Sequence, residues 1–144
     1  MDPDEASVTK EANDVMVSLD STFIIDLLRR RTSAVEMAAL FERQKVPVSI
    51  SPPAAVEVLA SGHRLGGEYL ERVRALLASL PLLPFDEEAV ESAARVAADL
   101  MTRGERLSEG DLLIAGISMR HGEEVVTRDR AFGRVRGLSV RFYE

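Results

Sequence analysis

The chain has 144 residues, 46% hydrophobic and 29% charged, with a formal net charge of −6 and no cysteine. That length and composition fit one globular domain with a buried core. The charge argues against duplex binding driven by overall charge, the lack of cysteine excludes disulfides and thiolate metal sites, and no apolar run approaches the ~20 residues that span a bilayer.

Residues 1–14 are polar, contain Pro3 and show no apolar periodicity, so a disordered acidic tail is expected there. The stretch also lacks the basic-then-apolar order of a signal peptide, which makes the cytoplasm the expected compartment. The folded domain is expected over 15–144. A strand over 15–19 leads into helices over 21–31 and 33–44, then a short strand over 46–50. Ser51 is placed to cap the next helix with Pro52 at its first position, and that helix is expected to end near Ser61 and Gly62.

A helix over 67–80 and an extended piece over 81–85 follow. Asp86, Glu87 and Glu88 suit the first turn of a long helix to about Arg103, which Gly104 stops. Residues 108–110 introduce a helix over 111–121, and strands are expected over 123–127 and 138–143. Strands alternating with helices predict a three-layer α/β/α fold with a central, mainly parallel sheet.

Four acids interrupt or border apolar runs: Asp20 after Val15–Leu19, Glu57 within Pro53–Leu59, Asp111 before Leu112–Ala115, and Asp129 after Val125–Thr127. A carboxylate in such a place is costly unless compensated, and no Lys or Arg is spaced to serve as a helical partner. In a parallel α/β sheet the carboxyl ends of strands and the starts of the following helices share one edge, where ligands bind at a reversal of strand order. All four acids can meet there, and a divalent cation would compensate them together. Taken singly, each has a plainer reading: Asp20 and Asp111 as helix caps or first-turn acids, Asp129 as a turn residue paired to an arginine, Glu57 as a surface residue. Positions 52–60 hold no other charged or polar side chain, so that helix is expected to be buried nearly all round.

Asp26, within Phe23–Leu28, is compatible with a place beside the site or with facing water. His63 and His121 fall at helix ends, which leaves no basis for a zinc site. Of the 18 basic residues only Lys10 and Lys45 are lysines. Arginine suits bidentate phosphate contacts, although genomic base composition produces the same bias.

The motifs over 17–26, 55–59, 107–115 and 125–132 together resemble those of PIN-domain nucleases, in order and spacing, over roughly residues 15–144. The size is closest to that of VapC toxins of VapBC toxin–antitoxin pairs. The resemblance implies Mg²⁺- or Mn²⁺-dependent endoribonuclease activity, with Asp20, Glu57, Asp111 and Asp129 as catalytic metal-holding acids and Thr22 and Thr127 as supporting polar residues. It also implies an RNA substrate, a cognate antitoxin and a homodimer. Ala131 departs from the pattern, since many relatives carry a polar or acidic residue there. A phospho-receiver domain would need a Lys after its last strands and a haloacid-dehalogenase-like phosphatase an Asp two residues after Asp20; neither is present. The standing alternative is a non-catalytic PIN-like module that binds RNA or metal.

Overall fold

The computed structural model describes residues 15–144; the tail expected over 1–14 lies outside the described residues. Its strands are β1 Val17–Leu19, β2 Val48–Ser49, β3 Glu124–Thr127 and β4 Val140–Phe142. Its helices are α1 Ser21–Leu28, α2 Thr32–Arg43, α3 Pro52–Leu65, α4 Gly67–Ala78, α5 Glu87–Thr102 and α6 Glu109–Arg120. All strands are parallel, in the order β2-β1-β3-β4. The fold is an α/β sheet flanked by helices, as the alternation of patterns predicts.

The two central strands are apolar because both faces are covered: Val17, Leu19, Val125 and Val126 are all buried. From β1 the chain pairs first on one side, with β2, and returns through α3 to α6 to pair on the other side, with β3. Strand order therefore reverses between β1 and β3. Leu19 stands opposite Val126, and the Asp20 N–H donates to the Val126 carbonyl at 3.0 Å. The residues that leave β1 and β3 are thus neighbours across the switch point.

Several boundaries differ from the sequence reading. The outer strands are shorter than expected, β2 covering two residues; beyond it Ile50 bridges Leu82 in the otherwise irregular stretch before α5. Helix α3 does not end at Gly62 but runs to Leu65, where Gly66 at φ +67° stops it. Gly62 serves packing instead: a Cβ there would lie 3.0 Å from Leu70 Cδ1 and 3.3 Å from Val73 Cβ on α4. Nor is α3 buried all round. Ala54, Val58 and Gly62 form its inner stripe, while Val56 is 66% exposed. Small side chains suffice to seat it, so its other apolar residues remain outside. Ser51 occupies the N-cap position, but its hydroxyl makes no capping bond and is buried without a partner. Among the described residues no helix is long and apolar enough to cross a membrane.

At the sheet edge opposite the switch point, Glu123 is buried just before β3. Its Oε1 accepts from the Ser49 hydroxyl at 3.3 Å, and its Oε2 has no partner. Burial pushes the Glu123 carboxyl above its ordinary value, against smaller opposite effects of Ser49 and His121. The folded protein therefore holds this proton more tightly than the unfolded chain. The associated stability is complete at acidic pH and is lost as pH rises from the ordinary carboxylate range through the raised value. Glu123→Gln is expected to raise the melting temperature at neutral pH and to flatten this part of the pH profile. Melts of both proteins from acid to neutral pH check it; parallel profiles would remove the assignment.

Candidate active site

Asp20 leaves β1 and is buried at 1% exposure. It caps α1 by accepting from the Ser21 N–H at 2.8 Å, and takes two further donors, Thr22 Oγ1 at 2.8 Å and Thr127 Oγ1 at 2.7 Å. Burial pushes its carboxyl up, the three donors pull it down, and the charge of Asp129 pushes it up again; the net direction is upward. Three hydrogen bonds do not offset the desolvation of this charge.

Thr127 ends β3, and one hydroxyl serves two acids. It donates to Asp20 and accepts from the Asp129 N–H at 3.0 Å. The Asp129 carboxylate in turn accepts from the Ala131 N–H at 2.9 Å and starts a short 3₁₀ turn, Arg130–Arg134, that the sequence reading did not anticipate. Ala131 contributes only its backbone here.

Asp111 lies in the first turn of α6, whose N-cap is Ser108; the Ser108 hydroxyl accepts from the Asp111 N–H at 3.2 Å. Its carboxyl is pushed up to about 6, first by burial and next by the charge of Asp20, with Asp129 and Glu57 adding and Ser108 opposing. Glu57 projects from α3, and its Oε2 accepts from the Ser21 hydroxyl at 2.6 Å. Its Oε1 occupies space that exists because residue 110 is glycine: a Cβ there would stand 2.6 Å away. The structure thus brings Asp20, Glu57, Asp111 and Asp129 to one rim, at the carboxyl ends of β1 and β3, with Thr22 and Thr127 between them.

Among the described residues no Lys or Arg forms an ion pair with any of the four. Of the two arginines that flank Asp129, Arg128 binds Asp26 at 2.9 Å and Arg130 lies over the Phe142 ring, 4.6 Å from its centroid. Asp26 does not face water; it is buried and also accepts from the Tyr143 hydroxyl at 2.7 Å. Sequence reasoning missed Ser21, Gly110 and Tyr143. The available signals were the hydroxyl next to Asp20, the glycine next to Asp111 and a phenol at the end of the last expected strand.

The donor set is all hard oxygen, repels itself and has no cationic side chain paired to it among the described residues. That combination fits Mg²⁺ or Mn²⁺, with Asp20, Asp111, Asp129 and Glu57 as the residues to hold it. Among the described residues no three acidic or imidazole groups are spaced to cage one ion. An Mg²⁺ site does not require such a cage, because the ion keeps several waters and takes one or two carboxylates together with substrate phosphate.

Residues 17–138 match the family described as PIN domain, and the chain belongs to that family. PIN nucleases are typically metal-dependent. The chain is 28% identical over 131 residues to ribonuclease VapC1 of Rickettsia felis, covering 85% of this chain and 92% of that protein. Its fold is similar to VapBC2 of Rickettsia felis, solved with a promoter DNA fragment: TM-score 0.78, 16% identity, 90% of this chain and 100% of that one. It is also similar to a toxin–antitoxin complex from Klebsiella pneumoniae: TM-score 0.69, 19% identity, 85% of this chain and 94% of that one.

Two outcomes follow from the charge geometry. Asp111→Asn removes a strained charge, so in EDTA at neutral pH it should be more stable than wild type by about 1 kcal/mol, discounted for partial exposure. Millimolar Mg²⁺ should raise the wild-type melting temperature by mass action and the variant's much less. Thermal melts in both buffers decide this; identical behaviour would place Asp111 outside the cluster. Gly110→Ala should keep the fold, because the atom it meets is the end of a flexible side chain. It should nevertheless displace Glu57 and weaken the Mg²⁺ response, with no further loss on top of Glu57→Gln. Additive losses in the double variant would contradict that coupling.

Proposed function

We propose that this chain is a metal-dependent endoribonuclease that hydrolyses RNA phosphodiester bonds and acts as the toxin of a toxin–antitoxin pair. The reading rests on one observation above the others: in a PIN-family chain, four acids stand together at the β1–β3 switch point with no ion-pair partner among the described residues. The similarity to ribonuclease VapC1 supports the RNA substrate, and the toxin–antitoxin assemblies among structures of similar fold support the partner.

Mg²⁺ or Mn²⁺ held by these acids would supply positive charge to offset the negative charge that develops at the scissile phosphate and would ease deprotonation of the attacking water. Asp20 is fixed for this role by Ser21, Thr22 and Thr127, so its carboxylate is oriented before substrate arrives. Asp129 is held by the backbone of the turn it caps, and Asp111 by the start of α6. Glu57, tethered by the Ser21 hydroxyl, is placed to orient the attacking water or to hold a second ion. No Ser, Cys or His nucleophile is needed. The cell compartment that fits RNA as substrate is the cytoplasm.

Purified protein with Mg²⁺ or Mn²⁺ is expected to cleave single-stranded or structured RNA, and EDTA to abolish the cleavage. Asp20→Asn should lose most activity, on the order of a hundredfold or more if the carboxylate holds the ion. An Asp20→Asn protein that cleaves RNA as fast as wild type would overturn the site. A wild-type protein that binds RNA or metal without turnover would instead favour the non-catalytic module.

The homodimer belongs to the same proposal. Val56 and Leu65 on α3 are 66% and 52% exposed, and a second copy over α3 and α4 would cover such surface. Light scattering at tens of micromolar should give twice the 15.8 kDa chain mass; a monomer there would count against the dimer.

A further inference from the structure

Arg128 sits between Thr127 and Asp129, yet its guanidinium reaches across to α1. Nε lies 2.9 Å from Asp26 Oδ2 and Nη2 lies 3.3 Å from Oδ1. Tyr143 donates to the same Oδ2 at 2.7 Å, and its hydroxyl stands beside Thr22, which donates to Asp20 at 2.8 Å. A run of polar contacts therefore leads from the guanidinium to the most buried acid of the site. Burial pushes the Asp26 carboxyl up, but the bonds from Arg128 and Tyr143 outweigh it and hold it below the usual range. Asp26 thus stays charged beside Arg128.

Two features separate this pair from an ordinary structural ion pair. The Arg128 side chain is 43% exposed, whereas that of Asp26 is 9% exposed. The two bonds to Asp26 also use Nε and Nη2 and leave Nη1 for another acceptor. The arginine is consequently anchored from behind and open in front, at the strand end that carries Asp129. An untethered arginine at this position would fold onto Asp129 or Asp111 and neutralise charge that the site needs. Asp26 prevents this by offering a better-placed carboxylate. A polyanion approaching four carboxylates needs cations along its path, and a guanidinium presents a planar donor set suited to phosphate oxygens.

We propose that Arg128 contacts a backbone phosphate of the substrate strand next to the scissile one, and that Asp26 and Tyr143 are positioning residues that hold it aside from the acid cluster, with its exposed face free to meet the strand. The inference rests on the reading of the chain as a ribonuclease. Arg128 supplies binding and registration of the strand, and the four acids retain the chemistry.

The test uses the full-length Asp20→Asn protein, which on the ribonuclease reading is expected to hold RNA without cutting it, and a fluorescent single-stranded oligoribonucleotide titrated at several salt concentrations. Adding Arg128→Gln should weaken binding several-fold and reduce the slope of log affinity against log salt by about 0.7, one phosphate contact to a single strand. Arg128→Lys should restore the slope, because a point charge still meets the phosphate. Arg95→Gln, which removes an exposed charge on α5, should leave slope and affinity near those of the parent. If Arg128→Gln melts early because Asp26 loses its partner, Asp26→Asn with Arg128→Gln removes both charges and carries the same readout. In the active protein, Arg128→Gln should raise KM more than it lowers kcat, and Arg128→Lys should recover most of the loss. A parent-like slope and affinity in Arg128→Gln, with RNA bound normally, would reduce Arg128 to a structural partner of Asp26. A parent that binds no RNA at any salt would overturn the ribonuclease reading and this inference together.

Discussion

The Asp20 carboxylate, buried at 1% exposure with hydroxyl and amide donors and no cationic partner among the described residues, is the constraint around which this molecule is arranged. Hydrogen bonds from neutral groups lower the cost of burying such a charge without removing it. The donors come from two separate places: the first turn of α1, through Ser21 and Thr22, and the end of β3, through Thr127. To satisfy Asp20 at all, β1 and β3 must be adjacent and in register, which the Leu19–Val126 pairing provides. The sheet order, with its reversal between β1 and β3, is therefore the same fact as the location of the site.

Capping and site formation are one arrangement here. Asp20 caps α1, Asp129 caps the 3₁₀ turn and Asp111 occupies the first turn of α6. Each sits where backbone N–H groups point outward and the helix dipole favours negative charge. These N-termini let the fold tolerate carboxylates that repel one another, and they aim the carboxylates at a common space. The raised carboxyls of Asp20 and Asp111 mark what the dipoles leave uncompensated. Arg128 could have neutralised this charge, but Asp26 and Tyr143 hold it aside.

Much of this was legible in the amino-acid pattern, for reasons that differ by element. The central strands were readable because burial on both faces demands continuous apolar runs, as in Val125 and Val126. The starts of α5 and α6 were readable only to within a residue or two: Asp86 was expected in the first turn and Ser108 ahead of a helix from Asp111, whereas both are N-caps whose side chains accept backbone N–H bonds. The end of α3 was not readable, since Gly62 carries the signal of a helix stop while its cause is the approach of Val73 on α4. Nor was the exposure of Val56, because apolar residues on a helix seated by alanine and glycine look the same inside or out. At the site, the four acids stood out as polar breaks in or beside apolar runs, whereas Thr22 and Thr127 were indicated only by the resemblance to PIN-domain nucleases. Gly110 and Tyr143 act through space on Glu57 and Asp26, and no local spacing encodes that.

The account depends on the four carboxylates sharing one electrostatic neighbourhood that a divalent cation completes. Carboxyl-carbon NMR of the Asp111 side chain, followed through a pH titration in EDTA and again in Mg²⁺, tests this most directly. The account predicts titration near 6 without metal and a clear fall when Mg²⁺ is added, because the bound cation favours the charged form. Titration in the ordinary carboxylate range, unchanged by Mg²⁺, would contradict it.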